Sequence, residues 1–200
     1  MEKADQQPIR TDERIVSVAT KLFYEKGYHA TTLREIATGC DIKAGSVYNH
    51  FSSKQELLMQ IVWTTTKDML DGAKERLEGV EGAEPRLRCF LKWHVEFHAH
   101  QRLAALVADE QLIALSEENR ARVVALRDEH QLVLEGLLKD GREADGWAIE
   151  DLPVIAIAVA TMCTQVDTWY REGGRLSPEQ IGDLLANFTI AALRNGGLGK

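Results

Sequence analysis

The stretch TTLREIATGCDIKAGSVYNHFSSK, residues 31–54, carries the signals for two short helices and the start of a third. Thr32 and Glu35 stand at the spacing of a capping box, in which each side chain bonds the backbone amide of the other residue. The helical pattern that follows is interrupted at 39–41, after fewer than two turns. A second helix is predicted over 44–51 from apolar residues at helical spacing. The stretch therefore predicts two short helices joined by a tight turn.

Such a pair makes a helix-turn-helix, whose second helix can enter the major groove of DNA. Gly45 and Ser46 are small, so that the backbone can lie close to bases and phosphates, while Tyr48 to His50 offer three consecutive polar side chains. A second capping box, Ser53 to Glu56, starts the third helix, and a lysine in its first turn could hold a phosphate. The alternative is a helical hairpin in an ordinary bundle. The candidate DNA contacts are Thr31, Thr32, Lys43, Ala44, Gly45, Ser46, Tyr48, Asn49, His50 and Lys54.

Residues 15–57 resemble the DNA-binding domain of the tetracycline-repressor (TetR) family. The resemblance rests on these residues, in the family's order and spacing: Ala19, Leu22 and Phe23, Gly27 to Thr32, Ile36 and Ala37, Gly45 to Tyr48, His50 and Phe51, Ser53 and Lys54, Glu56 and Leu57. Two positions depart from the family pattern. Asp41 stands where the turn usually has glycine, and Lys43 replaces the common Ser or Thr at the start of the second helix. The resemblance implies a DNA-binding head, a ligand-binding body and a homodimer.

Composition agrees with a cytoplasmic regulator. The chain has 200 residues and a net charge of -7. Residues 1–56 hold 8 Lys/Arg against 8 Asp/Glu and residues 57–200 hold 16 against 23, so the negative charge lies in the C-terminal part, away from the predicted DNA contacts. Three widely spaced cysteines read as reduced thiols, and we expect no membrane span and no signal peptide.

Apolar residues recur at helical spacing along the whole chain, which predicts an all-α fold of two domains. The first, 1–53, is a three-helix head, and the second, 54–200, is a helical body for ligand binding and dimerisation. Helices are predicted from about 11 to 26 and from 54 to 78 and, in the body, over 85–100, 103–115, 117–140, 152–170 and 178–194. The connection 141–149 looks polar.

The last two predicted helices are the candidate dimer interface. Helix 152–170 is apolar nearly all round, and helix 178–194 has one broad apolar face. Both could be core helices of a monomer. We expect instead a two-fold homodimer in which they form a four-helix bundle, because a dimer places two heads on a palindromic operator.

A ligand pocket is predicted in the body. Two histidines one turn apart lie on the apolar stripe of helix 85–100, but no further residues complete a metal site, and we expect no metal and no cofactor. Each candidate is individually typical of a core residue, whereas together they could line an apolar cavity with a few polar groups. The candidates are Phe90, His94, Phe97, His98, Met162, Gln165, Trp169 and Arg171.

The segment 168–177, TWYREGGRLS, gives the one indication of the ligand. It is similar to a WYRxGGxLS segment of TetR-family repressors that respond to acyl-coenzyme A thioesters, and Arg171 beside large aromatics could hold a phosphate. It could equally be a helix stop followed by a glycine turn. The function indicated is a DNA-binding repressor released by a small hydrophobic effector, with an acyl-CoA thioester as the candidate. The alternatives are a multidrug-sensing repressor of an efflux gene, a helical adaptor that binds protein, and an all-helical enzyme, for which no nucleophile-base set or phosphate loop is present.

Overall fold

The computed structural model describes residues 10–195, and within that range it is all-helical, as the sequence predicts. The predicted domains 1–53 and 54–200 each extend a few residues outside it. In chain order the helices are α1 (Thr11–Lys26), α2 (Leu33–Gly39), α3 (Ala44–Val47), α4 (Lys54–Leu77), α5 (Ala83–His100), α6 (Arg102–Glu110), a 3₁₀ turn (Leu112–Ala114), α7 (Glu117–Ala144), α8 (Leu152–Thr164), α9 (Val166–Trp169) and α10 (Pro178–Arg194).

The head consists of α1, α2 and α3 around one apolar cluster. The buried face of α1 carries Ile15, Ala19 and Phe23, and Gly27 (φ 80°) ends that helix. The turn between α2 and α3 places Asp41 at φ 52°, the conformation that the family pattern usually gives to glycine.

The second helix of the motif is shorter than predicted. Helix α3 ends at Val47, and the chain continues as a turn rather than as the helix predicted to run to Phe51. The amides of His50 and Phe51 both bond the carbonyl of Val47 at 3.0 Å, which tightens the backbone and returns Phe51 to the core. The prediction of the length was therefore wrong: at Asn49 and His50 the backbone forms i→i−3 bonds, which are those of a turn.

Helix α4 joins the head to the body. Its N-cap is Ser53, as predicted, but the carboxylate of Glu56 accepts from the amide and hydroxyl of Ser52 and so does not complete a capping box with Ser53. The first half of α4 buries Leu57, Leu58, Ile61 and Val62 in the head cluster, which also contains Val107 of α6 and Val123 of α7. The division at 53/54 stays a prediction, since the head cluster continues across it.

The body packs around α5, which contacts α4, α7, α8 and α10. Helix α7 runs to Ala144, four residues beyond its predicted end at 140. The connection after it is not simply polar: Trp147 is 2% exposed, and its ring covers Gly141 so closely that a Cβ there would lie 2.1 Å from it. Helix 103–115 was also predicted too long, because α6 ends at Glu110 and a 3₁₀ turn follows.

The predicted helix 152–170 is two helices. Helix α8 ends at Thr164, and the short helix α9 follows Gln165. Helix α10 has the predicted bounds and the predicted capping box between Ser177 and Gln180. Among the described residues, the stretch Leu152–Trp169, which comprises α8 and α9, has the length and apolarity that a membrane span would need, where the sequence predicted none. Composition and length are weak evidence for a span, since core helices of water-soluble proteins share both.

Candidate functional site

The segment 43–50 forms an exposed ridge on the head. Val47 points into the core with no exposed surface, and this fixes the segment, while Lys43, Gly45, Asn49 and His50 are exposed and Tyr48 is 58% exposed. Ala44 and Ser46 are half-buried. A large exposed phenol among small residues is available for phosphate and base contacts. Lys43, Gly45, Tyr48 and Asn49 are thus exposed on this short segment, and His50 at its end also lines the cleft described below.

The two threonines before α2 differ in what they can do. Thr32 is exposed and is the N-cap of α2, and its capping box with Glu35 is present as predicted. Thr31 is fully buried, and its hydroxyl donates to the carbonyl oxygens of Gly27 (2.9 Å) and Leu22 (3.2 Å). This corrects the prediction that Thr31 contacts DNA: its side chain holds the end of α1.

Lys54 binds the head itself. Its Nζ donates to the carbonyl oxygens of Tyr28 (2.7 Å), Thr31 (2.7 Å) and His29 (3.4 Å), and it lies 4.3 Å from the centroid of the Tyr28 ring. Partial burial lowers the pKa of the ammonium, an effect that Glu35 opposes. An ammonium has three donors, and three carbonyls already face them. Lys54 therefore positions the loop between α1 and α2, and the predicted phosphate contact would have to displace one of these bonds.

Helices α8 and α10 leave an apolar surface exposed, which we call the α8–α10 face. It contains Val154 (58% exposed), Ile157 (57%), Leu184 (54%) and Phe188 (67%). Large apolar side chains that are exposed together are typical of a protein–protein contact. The predicted dimer helices thus present an apolar surface, although Leu185 lies half-buried against the core.

A cavity of about 160 Å³ lies inside the body; we call it the chamber. Its walls come from α4, α5, α6, α7 and α8, so that its shape depends on how these five helices pack. The residues that line it are Thr65, Thr66, Met69, His94, Phe97, His98, Ala105, Ala108, Asp109, Arg127, His130, Ala160 and Thr164.

Three buried histidines give the chamber its polarity. His94 and His98 stack with ring centroids 4.9 Å apart, and the His130 ring lies 5.2 Å from that of His94. Nε2 of His94 lies 2.9 Å from the hydroxyl of Thr164, and Nδ1 of His98 lies 3.1 Å from a carboxylate oxygen of Asp167. The other buried ring nitrogens, Nδ1 of His94 and Nε2 of His98 and of His130, have no partner among the described residues.

Burial keeps two of these rings neutral. It lowers the pKa of His130 to about 4, with a smaller contribution from His98, and it lowers the pKa of His94 well below its usual value. The guanidinium of Arg127 also lines the chamber, but it bonds Asp109 at 2.8 Å and the carbonyl of Ala108 at 2.9 Å. The chamber therefore has mostly apolar walls with a few polar groups, and its charged pair, Arg127 and Asp109, is bonded to itself. No cluster of metal-binding side chains is found within residues 10–195.

The structure brings together only part of the predicted pocket. His94, Phe97 and His98 line the chamber, whereas Phe90 is fully buried behind it, with its ring against His94 and His130. Met162 packs on the core, and Gln165 is exposed. Trp169 (53% exposed) and Arg171 lie on the surface, where both line a groove of about 280 Å³. Trp169 and Arg171 lie beyond the end of α8 and outside the chamber, so the predicted residues do not form one cavity.

Sequence reasoning missed His130, Arg127, Asp109 and Thr164. His130 could have been found, because it stands on the buried stripe of α7 between Val123 and Leu134. A histidine on an otherwise apolar stripe indicates a buried polar site. The other three gave no signal, since single charged or hydroxyl residues on a helix are ordinary.

A second and larger space lies between the head and the body. This cleft of about 1160 Å³ is lined by α1, by His50 of the ridge and Phe51 after it, by the α5–α6 corner and by Thr168, Tyr170, Arg171 and Glu172. Arg102 and Arg171 face it, as do Asp12 and Glu13 of α1. Its walls belong to both parts of the molecule, so a molecule bound there would contact the head directly.

Asp167 of α9 stands between the chamber and the cleft. Its carboxylate, 1% exposed as a residue, bonds His98 in the chamber, and its carbonyl oxygen accepts from Nε of Arg102 at 2.6 Å. The Arg102 guanidinium lies 5.8 Å from the centroid of the Tyr24 ring of α1, within the range of a cation–π contact. We call this the His98–Tyr24 chain; it connects the chamber to the head in three contacts.

Comparison with known families gives two matches that together span most of the chain. Residues 15–61 match the model of bacterial regulatory proteins of the tetR family. Residues 81–193 match the tetracyclin repressor-like C-terminal domain. The first match covers the head from Ile15 and the first eight residues of α4, and the second covers α5 to α10.

Individual relatives agree over nearly the full length. The HTH-type transcriptional repressor KstR2 of Mycobacterium tuberculosis is 25% identical over 193 residues, covering 92% of this chain and 93% of that protein. A solved bacterial regulatory protein in the tetR family from Rhodococcus RHA1 is 28% identical, with a TM-score of 0.83 over 96% of this chain and all of that one. AibR, solved in complex with isovaleryl coenzyme A and operator DNA, is 22% identical, with a TM-score of 0.80 over 90% and 97% of the two chains.

Proposed function

This chain belongs to the TetR family of DNA-binding transcriptional repressors, and we propose that it binds a palindromic operator as a homodimer and releases it when a small effector enters the body. The observation that carries this is the ridge 43–50. A buried Val47 holds the ridge rigid, and Tyr48 and Asn49 project from it, as reading a major groove requires.

The α8–α10 face supports the dimer. Phe188 and Ile157 would remain more than half exposed to water in a monomer, at an unfavourable free energy. Pairing with the same face of a second copy buries them and, by two-fold symmetry, sets two heads for the two halves of a palindrome. The same pairing would cover Val154 and Ile157 of the apolar stretch Leu152–Trp169. We place the protein in the cytoplasm because its relatives are bacterial transcriptional regulators.

The effector that we propose is an acyl-CoA thioester. The cleft presents Arg171, whose guanidinium suits a phosphate, whereas Arg102, which also lines the cleft, is held by the carbonyl oxygen of Asp167. AibR, whose fold this chain shares, was solved with isovaleryl coenzyme A. The acyl part would occupy the chamber and the nucleotide part the cleft, one on each side of Asp167. The alternative is a multidrug-sensing repressor, for which an uncharged effector would fill the chamber alone.

Release of DNA would follow from the His98–Tyr24 chain. A group that enters the chamber at His98 displaces or reorients Asp167, and Asp167 holds Arg102 against α1. The effector thus favours one orientation of the head over the other, which is allostery as a difference in affinity for two states. We propose no catalytic activity; the relatives are transcriptional regulators.

Fluorescence anisotropy tests the DNA-binding proposal. Tyr48→Ala should weaken binding to the DNA that lies upstream of this protein's gene at least tenfold, because it removes the largest exposed group of the ridge. The control is Leu132→Ala, which removes a side chain that is 64% exposed on α7, away from the ridge. Equal affinity of wild type, Tyr48→Ala and control would refute this assignment of the ridge.

The effector is tested on the protein–DNA complex. A panel of acyl-CoA thioesters should release DNA, and Arg171→Ala should raise the concentration needed about tenfold, since a charge-assisted contact to a phosphate is lost. DNA affinity without effector should not change. Release by uncharged hydrophobic drugs, with no response to any CoA thioester, would support the multidrug-sensing alternative.

A further inference from the structure

The proposed effector class, an acyl-CoA thioester, does not specify which chemical group occupies the chamber. We infer that the part of the effector buried in the chamber is an uncharged, oxygen-bearing group about the size of one six-membered ring, hydrogen-bonded to the histidines His94, His98 and His130. This inference rests on the proposed function, because it assumes that the chamber is where the effector's buried part lies. It excludes a long saturated acyl chain as that part.

The size of the group follows from the volume. The chamber measures about 160 Å³. An apolar cavity of about 150 Å³ engineered into another protein holds benzene. A single ring or a short branched acyl group therefore fills the chamber, and a chain of eight or more carbons would extend beyond it.

The need for oxygen follows from the walls. His94 is 2% exposed, His98 4% and His130 8%, and each has one ring nitrogen without a partner among residues 10–195. The benzene-binding cavity is lined by Leu, Ile and Phe, whereas this chamber has three histidines beside apolar walls that include Met69 and Phe97. A hydrocarbon in this chamber would leave three polar nitrogens unsatisfied, which carries a desolvation penalty. A hydroxyl or carbonyl oxygen placed among them removes that penalty.

The absence of charge on the group follows from the pairing of the charged walls. Arg127 is bonded to Asp109, and the carboxylate of Asp167 is bonded to His98. His94 and His130 are kept neutral by burial. A carboxylate or ammonium group in the chamber would find no unpaired counter-charge, so that its own desolvation would oppose binding.

His98 indicates which kind of oxygen fits. Its Nδ1 faces a carboxylate oxygen, which only accepts, so Nδ1 carries a proton. Its Nε2 is then an acceptor if the ring is neutral and a donor if the ring is charged. A hydroxyl group satisfies either state, since it both donates and accepts.

Phenol and toluene are the matched probes for this inference. They have nearly the same shape and differ by a hydroxyl in place of a methyl group. Transfer from water alone favours toluene, because its surface is more apolar. Isothermal titration of each into the full-length wild-type protein, without DNA, should nevertheless give about tenfold tighter binding of phenol, because a site with hydrogen-bonding groups rejects an analogue that lacks them. Benzoate, the charged analogue, should bind more weakly than phenol.

The place of binding is read from the histidine rings. In a protein labelled with ¹⁵N-histidine, phenol should shift the ring signals of His94, His98 and His130, and those of the exposed His29 should not move. In His130→Phe the preference for phenol over toluene should fall, provided that circular dichroism shows a folded protein. The wild-type comparison decides the question even if that variant does not fold.

The following results would overturn the inference: toluene binding as tightly as phenol or more tightly, neither probe binding, or phenol binding without a shift of the chamber histidines. None of these depends on DNA. A protein that passes the operator test but prefers toluene keeps its proposed function and loses this inference. A protein that prefers phenol but binds no operator loses the proposed function and keeps the inference about the chamber.

Discussion

Acidification should destabilise this protein through His130, and the structure fixes the direction and the approximate size of the effect. The ring is 8% exposed, and burial, together with the neighbouring His98, lowers its pKa to about 4. In the unfolded chain the same ring takes up a proton near its ordinary pKa of about 6.5. Between these two pKa values the unfolded state binds a proton on this ring and the folded state does not, so acid favours unfolding.

The magnitude follows from this linkage. The stabilisation by a neutral His130 is complete above about pH 6.5 and is lost as the pH falls towards 4, at about 1.4 kcal/mol for each pH unit. Between pH 7 and pH 5 the free energy of unfolding should therefore fall by about 2 kcal/mol from this residue alone. His94, whose pKa is lowered by burial and by His98 and His130, acts in the same direction.

Urea denaturation followed by circular dichroism at pH 7, 6 and 5, at one protein concentration, measures the effect. Wild type should lose about 2 kcal/mol more between pH 7 and pH 5 than His130→Phe, which cannot take up a proton. His100→Phe, at an exposed histidine that ends α5, is the control and should follow wild type. Parallel curves for wild type and His130→Phe would show that His130 is not buried as a neutral ring, and the account of the chamber would fail with it.

Three further predictions concern the head, the dimer and the coupling between them. Lys54→Ala should lower the free energy of unfolding by about 2 kcal/mol in urea denaturation, without changing the salt dependence of DNA binding. Lys43→Ala should instead reduce by about one the slope of the logarithm of the binding constant against the logarithm of the salt concentration. The opposite pattern would restore Lys54 as a phosphate contact. Phe188→Asp should raise the dimer dissociation constant at least a hundredfold in sedimentation equilibrium, because it buries an unpaired charge, whereas Ile113→Asp, at a residue 80% exposed elsewhere, should not; a wild type that is monomeric at micromolar concentration would refute the dimer. Arg102→Ala should bind DNA and effector but release DNA at least fivefold less readily in anisotropy titrations, and unchanged release would exclude the His98–Tyr24 chain as the coupling route.

Local signals in the sequence predicted the three helices of the head and most helix starts, although α3 is shorter than predicted and the capping box predicted between Ser53 and Glu56 is not formed. The capping boxes Thr32 to Glu35 and Ser177 to Gln180 depend on residues three apart, and both are present. The turn at Asp41 likewise depends on one residue's conformation. These features could be predicted because the chain within one turn decides them.

Contacts between distant residues could not be predicted in this way. Lys54 binds carbonyls more than twenty residues away, and Asp167 meets His98 sixty-nine residues away in the chain. Apolar residues continue on both sides of Gln165, so the sequence pattern did not indicate that α8 and α9 separate there. That break places Arg171 outside the chamber. The predicted pocket was therefore divided between the chamber and the surface by a change that only tertiary packing decides.

The central claim is that two heads on one dimer read DNA. Selection of binding sites from a random pool of duplex DNA by purified wild-type protein tests it most directly. We expect enrichment of a two-fold symmetric sequence whose half-sites lie about one helical turn, or a multiple of it, apart, with enrichment lost in Tyr48→Ala and in Phe188→Asp. Recovery of no common sequence, or of a single half-site that Phe188→Asp enriches equally well, would contradict it.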